Sequence, residues 1–177
     1  AVLDEIGADL VVGNAATEEE LISLVRDADG VLVNLALLSA CVIREMSQCR
    51  IIVRYGVGYD NVDVCAATAK GIAVAHVPDF CSEDVSDHTL ALMLSCMRRI
   101  VQAAQGVRAG KWNLTQKNEV HRMKGKVFGL VGYGKIARCV HRKLKGFEPA
   151  EVLACDPHVD SQVMESEGAR KVDLEVL

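Results

Sequence analysis

Between residues 29 and 77 the chain alternates short, almost wholly apolar runs with helix-like stretches: DGVLVN, a short helix after Ser39, RIIVRY, residues 61–70, then IAVAHV. A strand with one wet face alternates apolar and polar residues; these runs do not, so both of their faces must be covered. Helices on both sides of a parallel sheet meet that demand. The same rhythm returns after residue 125, with KVFGLVG, a helix over 135–147, EVLACD, a helix over 161–167 and a short strand over 170–172. The fold class expected is α/β with parallel sheets. Further expectations are a short strand at ADLVV, and a helix from a capping box at Thr17 and Glu20 through about Ala28. A long helix is expected from Ser82 toward Gly106 or Gly110, its first turn made acidic by Glu83 and Asp84 to suit the helix dipole. Pro78 separates two parts, residues 1–77 and 78–177, the second a β-α-β-α-β run, half of a doubly wound α/β sheet. A full fold of that kind needs a second half, so both parts are expected to be incomplete.

The ten residues GLVGYGKIAR (129–138) sit where a strand meets a helix. Gly132 permits the tight turn, and Gly134 lets the backbone approach a pyrophosphate with no Cβ in the way. Ala137 is the third small position. The helix that follows points its first N–H groups at an anion. Asp156 ends the next strand, 22 positions after Gly134, at the spacing of an acid that bonds the ribose hydroxyls. A carboxylate there repels a 2′-phosphate, which favours NAD over NADP. A second glycine loop, YGVGYDNVD (55–63), also follows a buried strand. Gly56 and Gly58 bracket Val57 and leave the Val57 and Gly58 amides open to an anion.

Five stretches together (RYGVGYDNVD, KGIAVAHVPD, SEDVSDHTLALML, RAGKWN, and GLVGYGKIAR with ACDP) resemble the D-isomer-specific 2-hydroxyacid dehydrogenases in order and spacing. The resemblance implies a flavodoxin-like substrate domain with a Rossmann NAD domain inserted in it. It implies NAD as cofactor and a small 2-hydroxy or 2-keto acid as substrate. Homodimers built around the helix that begins near Ser82 are implied as well. Val57 and Gly58 would offer amides to the substrate carboxylate. Tyr133, Gly134, Lys135 and Ile136 would line the pyrophosphate, with Gly132 at the turn and Asp156 at the ribose; Val85 would lie near the nicotinamide. The family's catalytic Arg, Glu and His fall downstream of the first half of the NAD fold. By that alignment no residue here takes those roles, and these 177 residues alone are expected to be inactive. Residues 34–36, Asn-Leu-Ala, stand where phosphoglycerate dehydrogenases often carry an arginine, which disfavours a phosphorylated substrate. Glu148 stands where the family often has a glycine. The C-terminal-binding transcriptional corepressors share the fold and the NAD site, so a binding protein is the alternative function.

Composition narrows the rest. A net charge of −4 argues against nucleic acid as a partner. No apolar run approaches the roughly 20 residues of a membrane span. Seven cysteines without a CxxC read as buried free thiols of a reducing cytoplasm. No histidine spacing suggests a metal. Ser86-Asp87-His88 holds the residue types of a hydrolase triad, but neighbours on a helix point in different directions. Arg54 is expected in a strand-end salt bridge, Arg98-Arg99 as a mid-helix pair, and His158 as a solvated surface residue.

Overall fold

The apolar runs do pair as parallel strands. The structure is a computed structural model that describes residues 2–112 and 120–177; Asn113, the last residue of RAGKWN, lies outside that range. The chain divides into two compact units, Ala1–Phe80 and Cys81–Leu177, each taken by itself below.

In the first unit, β1 (Gly30–Val33), β2 (Ile51–Arg54) and β3 (Ala73–His76) form a parallel sheet in the order β1-β2-β3. The pairing sets Val33 opposite Arg54, and Arg54 opposite His76, at the carboxyl ends of the strands. The helices of this unit are α1 (Val2–Glu5), α2 (Glu18–Val25), α3 (Ala40–Glu45) and α4 (Val64–Ala69). Thr17 caps α2 by accepting from the Glu20 N–H at 3.2 Å, while the Glu20 carboxylate reaches back to the Ala16 N–H at 2.8 Å. Ser39 caps α3 and Asp63 caps α4 in the same manner. The core gathers Leu38, Val42, Ile43, Met46, Ile52 and Ala67. Three expectations fail here. ADLVV forms no strand: Leu10, Val11 and Val12 are exposed, because a short apolar run becomes a strand only where a ladder is at hand. Helix α2 ends at Val25, short of Ala28. Helix α4 starts at Val64, three residues after Asn61, because the Asn61 side chain donates to the Asn34 and Ala36 carbonyls and holds a turn instead.

In the second unit, β4 (Val127–Val131), β5 (Glu151–Cys155) and β6 (Arg170–Lys171) are parallel in the order β4-β5-β6. The helices are α5 (Ser82–Met97), α6 (Ile100–Arg108), α7 (Lys135–Leu144) and α8 (Ser161–Glu167). The long helix expected from Ser82 is two helices. Arg99 takes a left-handed φ of 51°, so Arg98 and Arg99 form a break rather than a mid-helix pair, and the Arg98 guanidinium donates to the His121 carbonyl. The helix expected over 135–147 closes as a 3₁₀ turn over Lys145–Phe147. Glu148 then adopts φ 52°, the conformation glycine tolerates best.

Helices α5 and α7 pack through Leu90, Met93, Met97, Val140 and Leu144. They are also laced by Glu83 with Arg142 and Lys143, and by Asp87 with Lys143. The Arg142 and Lys143 bonds hold the Glu83 carboxyl down at about 2. Ser86 is buried, donates to the Glu83 carbonyl and accepts from Lys143, so Ser86, Asp87 and His88 form no triad. All seven cysteines are free, but only Cys49 is buried, and burial raises its thiol pKa; Cys41, Cys65 and Cys96 are exposed. Among the described residues no helix is long and apolar enough to cross a membrane.

Candidate functional site

The glycine loop of the second unit lies at the carboxyl end of β4. Gly132 has φ +86°, which a side chain would strain, and its N–H donates to the Cys155 carbonyl at 2.8 Å. That bond joins the ends of β4 and β5. The next N–H, of Tyr133, donates to Asp156 Oδ2 at 2.8 Å, and the His158 N–H donates to Asp156 Oδ1 at 2.8 Å. Those amides, Tyr133 first, hold the Asp156 carboxyl below its ordinary value, so it is ionised at neutral pH. Gly132, Tyr133 and Asp156 are therefore one hydrogen-bonded assembly.

Gly134 is the N-cap of α7 and supplies no side-chain cap to the first turn, which contains Lys135 and Ile136. Nothing lies within 4 Å of where a Gly134 Cβ would stand. An uncapped helix start, open space outside it, and a fixed carboxylate nearby fit the phosphates and ribose of a dinucleotide. Val85 sits half-exposed in the first turn of α5, its N–H bonded to the Cys81 carbonyl.

Sequence reasoning missed what the middle residue of G-Y-G does. The Tyr133 side chain is fully buried, turned away from the loop's open side. Its hydroxyl lies 2.7 Å from His141 Nδ1 and 3.0 Å from Glu167 Oε2. A carboxylate only accepts, so the hydroxyl proton goes to Glu167 and His141 Nδ1 must carry the hydrogen that meets the phenol oxygen. Arg138 lies 5.5 Å from the ring centroid and pairs with Glu167 at 3.2 Å. Burial, then the Glu167 bond, push the Tyr133 phenol up to about 12. Burial, then Lys145, lower the His141 value. This hydrogen-bonded chain, buried at Tyr133 and His141, fixes the loop to α7 and α8. Its visible trace in the sequence is an aromatic at 133 with a histidine eight residues on.

The glycine loop of the first unit lies at the carboxyl end of β2. A parallel bridge from Leu38 to Val62 pins it beside the start of α3. The Gly56 carbonyl accepts from the Val77 N–H at 3.0 Å, and the Val57 carbonyl meets His76 Nδ1 at 2.8 Å. The Val57 and Gly58 N–H groups donate to no described residue. Arg54 departs from expectation: it makes no ion pair among the described residues, and its buried Nε has no partner. Its Nη1 occupies the place where a Gly56 Cβ would be. Glycine at 56 is thus what lets a cation lie against this loop. The loop offers two amides that no described residue takes up, and a guanidinium with no ion pair among the described residues lies against its Gly56, an arrangement suited to a small anion.

The likeness to known proteins runs through both units. Residues 1–172 match the family described as D-isomer specific 2-hydroxyacid dehydrogenase, catalytic domain. The chain is 35% identical over 173 residues to a D-3-phosphoglycerate dehydrogenase of Methanocaldococcus jannaschii, covering 97% of this chain and 32% of that protein. It is 32% identical over 175 residues to the Sus scrofa D-3-phosphoglycerate dehydrogenase, covering 98% of this chain and 32% of that one. Among solved structures, D-lactate dehydrogenase from Escherichia coli superposes with a TM-score of 0.78 at 30% identity, covering 99% of this chain and 56% of that one. A Thermus thermophilus protein superposes with a TM-score of 0.86 at 29% identity, covering 99% and 56%. The chain spans about a third of the length of the curated relatives it matches and about half of those solved chains. It belongs to the D-isomer-specific 2-hydroxyacid dehydrogenase family.

Proposed function

We propose that the protein is an NAD-dependent oxidoreductase that moves hydride between a nicotinamide cofactor and the C2 of a D-2-hydroxy or 2-keto acid. The bond from the Tyr133 N–H to Asp156 carries the reading. It holds an ionised carboxylate at the end of β5 and couples it to the turn that starts α7, where the ribose and phosphates of a dinucleotide belong. Gly134, Lys135 and Ile136 line the pyrophosphate, Asp156 accepts from the ribose hydroxyls, and Val85 borders the nicotinamide. Each Asp156 oxygen already accepts one amide, so the carboxylate is oriented before the ribose arrives. Its charge repels a 2′-phosphate, which selects NAD.

The nicotinamide, when bound, supplies the hydride acceptor or donor. Val57 and Gly58 hold the substrate carboxylate through their N–H groups, and Arg54 adds positive charge beside them. Residues 34–36 contribute no cation, which supports an unphosphorylated substrate. No described residue is assigned the proton transfer. Exposed Leu92 on α5, Ile100 and Val101 on α6, and Trp112 support a homodimer about this helical segment. The test is titration of the whole protein with NADH and NADPH, followed by NADH oxidation with a panel of 2-keto acids. Tight NADH binding and turnover are expected. Preference for NADPH, or binding without turnover of any 2-keto acid, contradicts the assignment.

A further inference from the structure

Two carbonyls decide which way the Val57 and Gly58 amides face. The described residues contain no cis peptide bonds, and in a trans peptide the C=O and N–H point in opposite directions. The Gly56 carbonyl is drawn toward the Val77 N–H, so the Val57 N–H is turned the other way. The Val57 carbonyl is drawn toward His76, so the Gly58 N–H is turned the other way as well. The first tether is main chain to main chain. The second depends on one side chain.

We propose that His76 is a positioning residue for the anion seat: it holds the Val57–Gly58 peptide so that the Gly58 N–H stays presented to a carboxylate. A carbonyl only accepts, so His76 Nδ1 carries the hydrogen in this bond. Parallel pairing brings His76 into place, since it is the register partner of Arg54 at the carboxyl end of β3. Tyr59, from the same glycine loop, braces the imidazole edge-on with ring centroids 4.9 Å apart. The ring also lines a cavity of about 260 Å³ with Tyr59, Val64 and Val74, so a phenyl ring has room in its place. Without the bond the Val57–Gly58 peptide is free to rotate, and an anion must first order it. His76 does not itself touch the anion; it acts through the peptide.

The inference rests on reading this loop as the carboxylate seat, so the experiment has two arms. In the whole protein, His76→Phe keeps a ring against Tyr59 and removes the donor, whereas His76→Asn sets an amide N–H near the place of Nδ1. The Phe variant is expected to raise KM for the 2-keto acid about five- to tenfold. Its kcat should stay within about twofold, the pattern of lost ground-state binding. NADH affinity is expected to stay unchanged, and the Asn variant to recover most of the KM. An unchanged KM in the Phe variant overturns the proposal. So does a loss that Asn fails to recover and that NADH binding shares. The second arm adds oxalate alone and follows the Val57 and Gly58 amide resonances. Shifts in the wild type that weaken in His76→Phe support the positioning role even if no 2-keto acid is turned over, in which case only the proposed reaction fails. No shift at those amides in the wild type overturns the seat, and His76's role with it.

Discussion

The two glycine loops, Gly56-Val57-Gly58 and Gly132-Tyr133-Gly134, share a pattern and a place, each at the carboxyl end of a parallel strand. They use the residue between the glycines in opposite ways. Val57 is exposed and its N–H is undonated, with the neighbouring carbonyls tied to residues at the end of β3. Tyr133 is buried, its N–H is committed to Asp156, and its hydroxyl anchors the loop to His141 and Glu167. The first loop leaves two amides that no described residue takes up. The second gives one amide up to orient a carboxylate and starts α7 with no side-chain cap. A G-x-G turn is a backbone shape; the direction of the middle side chain decides what the shape can hold.

That contrast implies that damage at the two middles falls on different properties. Tyr133→Ala empties a core position and strips His141 and Glu167 of their partner, so it should cost the second unit about 3–5 kcal/mol. Tyr133→Phe, which removes only the hydroxyl, should cost about 1–3 kcal/mol. Urea unfolding followed by probes in each unit checks this; a loss below about 1 kcal/mol for Tyr133→Ala would break the comparison.

Gly56→Ala should behave differently. The new Cβ collides with the tip of a flexible side chain, so Arg54 swings aside and stability changes by less than about 1 kcal/mol. The KM for the 2-keto acid should nonetheless rise about tenfold as the cation leaves the seat, with NADH affinity unchanged.

Acid sharpens the contrast further. Burial lowers the native His141 value below its unfolded one, so its contribution to stability is fully present above the unfolded value, about 6.5, and is lost as pH falls below it. Lys145, Arg138 and Glu167 surround this group. Hydrogen exchange of the Gly132–Ile136 amides, corrected for intrinsic rates, should therefore quicken between about pH 7 and 5 more than that of β2. Equal quickening would contradict the buried-histidine account. The smallest effect is a gain: Glu148→Gly relieves a left-handed residue and should stabilise the second unit by about 0.5–1 kcal/mol. The Lys124 ion pair it removes is exposed and contributes little.

Much of this was legible in the residues. β1, β2, β4 and β5 were readable because their runs carry little polar admixture, yet the coverage of both faces expected from them holds only for β5: Leu32 in β1 and Val127 and Val131 in β4 are exposed. Asp156 was readable because strand length and loop length together fix its spacing from Gly134. The family resemblance, drawn on five stretches, matched over residues 1–172. Other features depend on partners far away in sequence. ADLVV has strand composition but no ladder. The break at Arg99 carries no glycine or proline to announce it. Arg54 beside His76 follows from strand register, which no local pattern specifies. The burial of Tyr133 rests on His141 and Glu167, one helix and two helices away.

The most direct measurement follows backbone amide resonances of the whole protein as NAD and then oxalate are added separately. NAD is expected to shift Gly134, Ile136 and Asp156 while leaving Val57 and Gly58 nearly still at first addition, and oxalate to do the reverse. Oxalate shifts centred on Gly134, or NAD shifts absent from Asp156, would contradict the division of labour between the two loops.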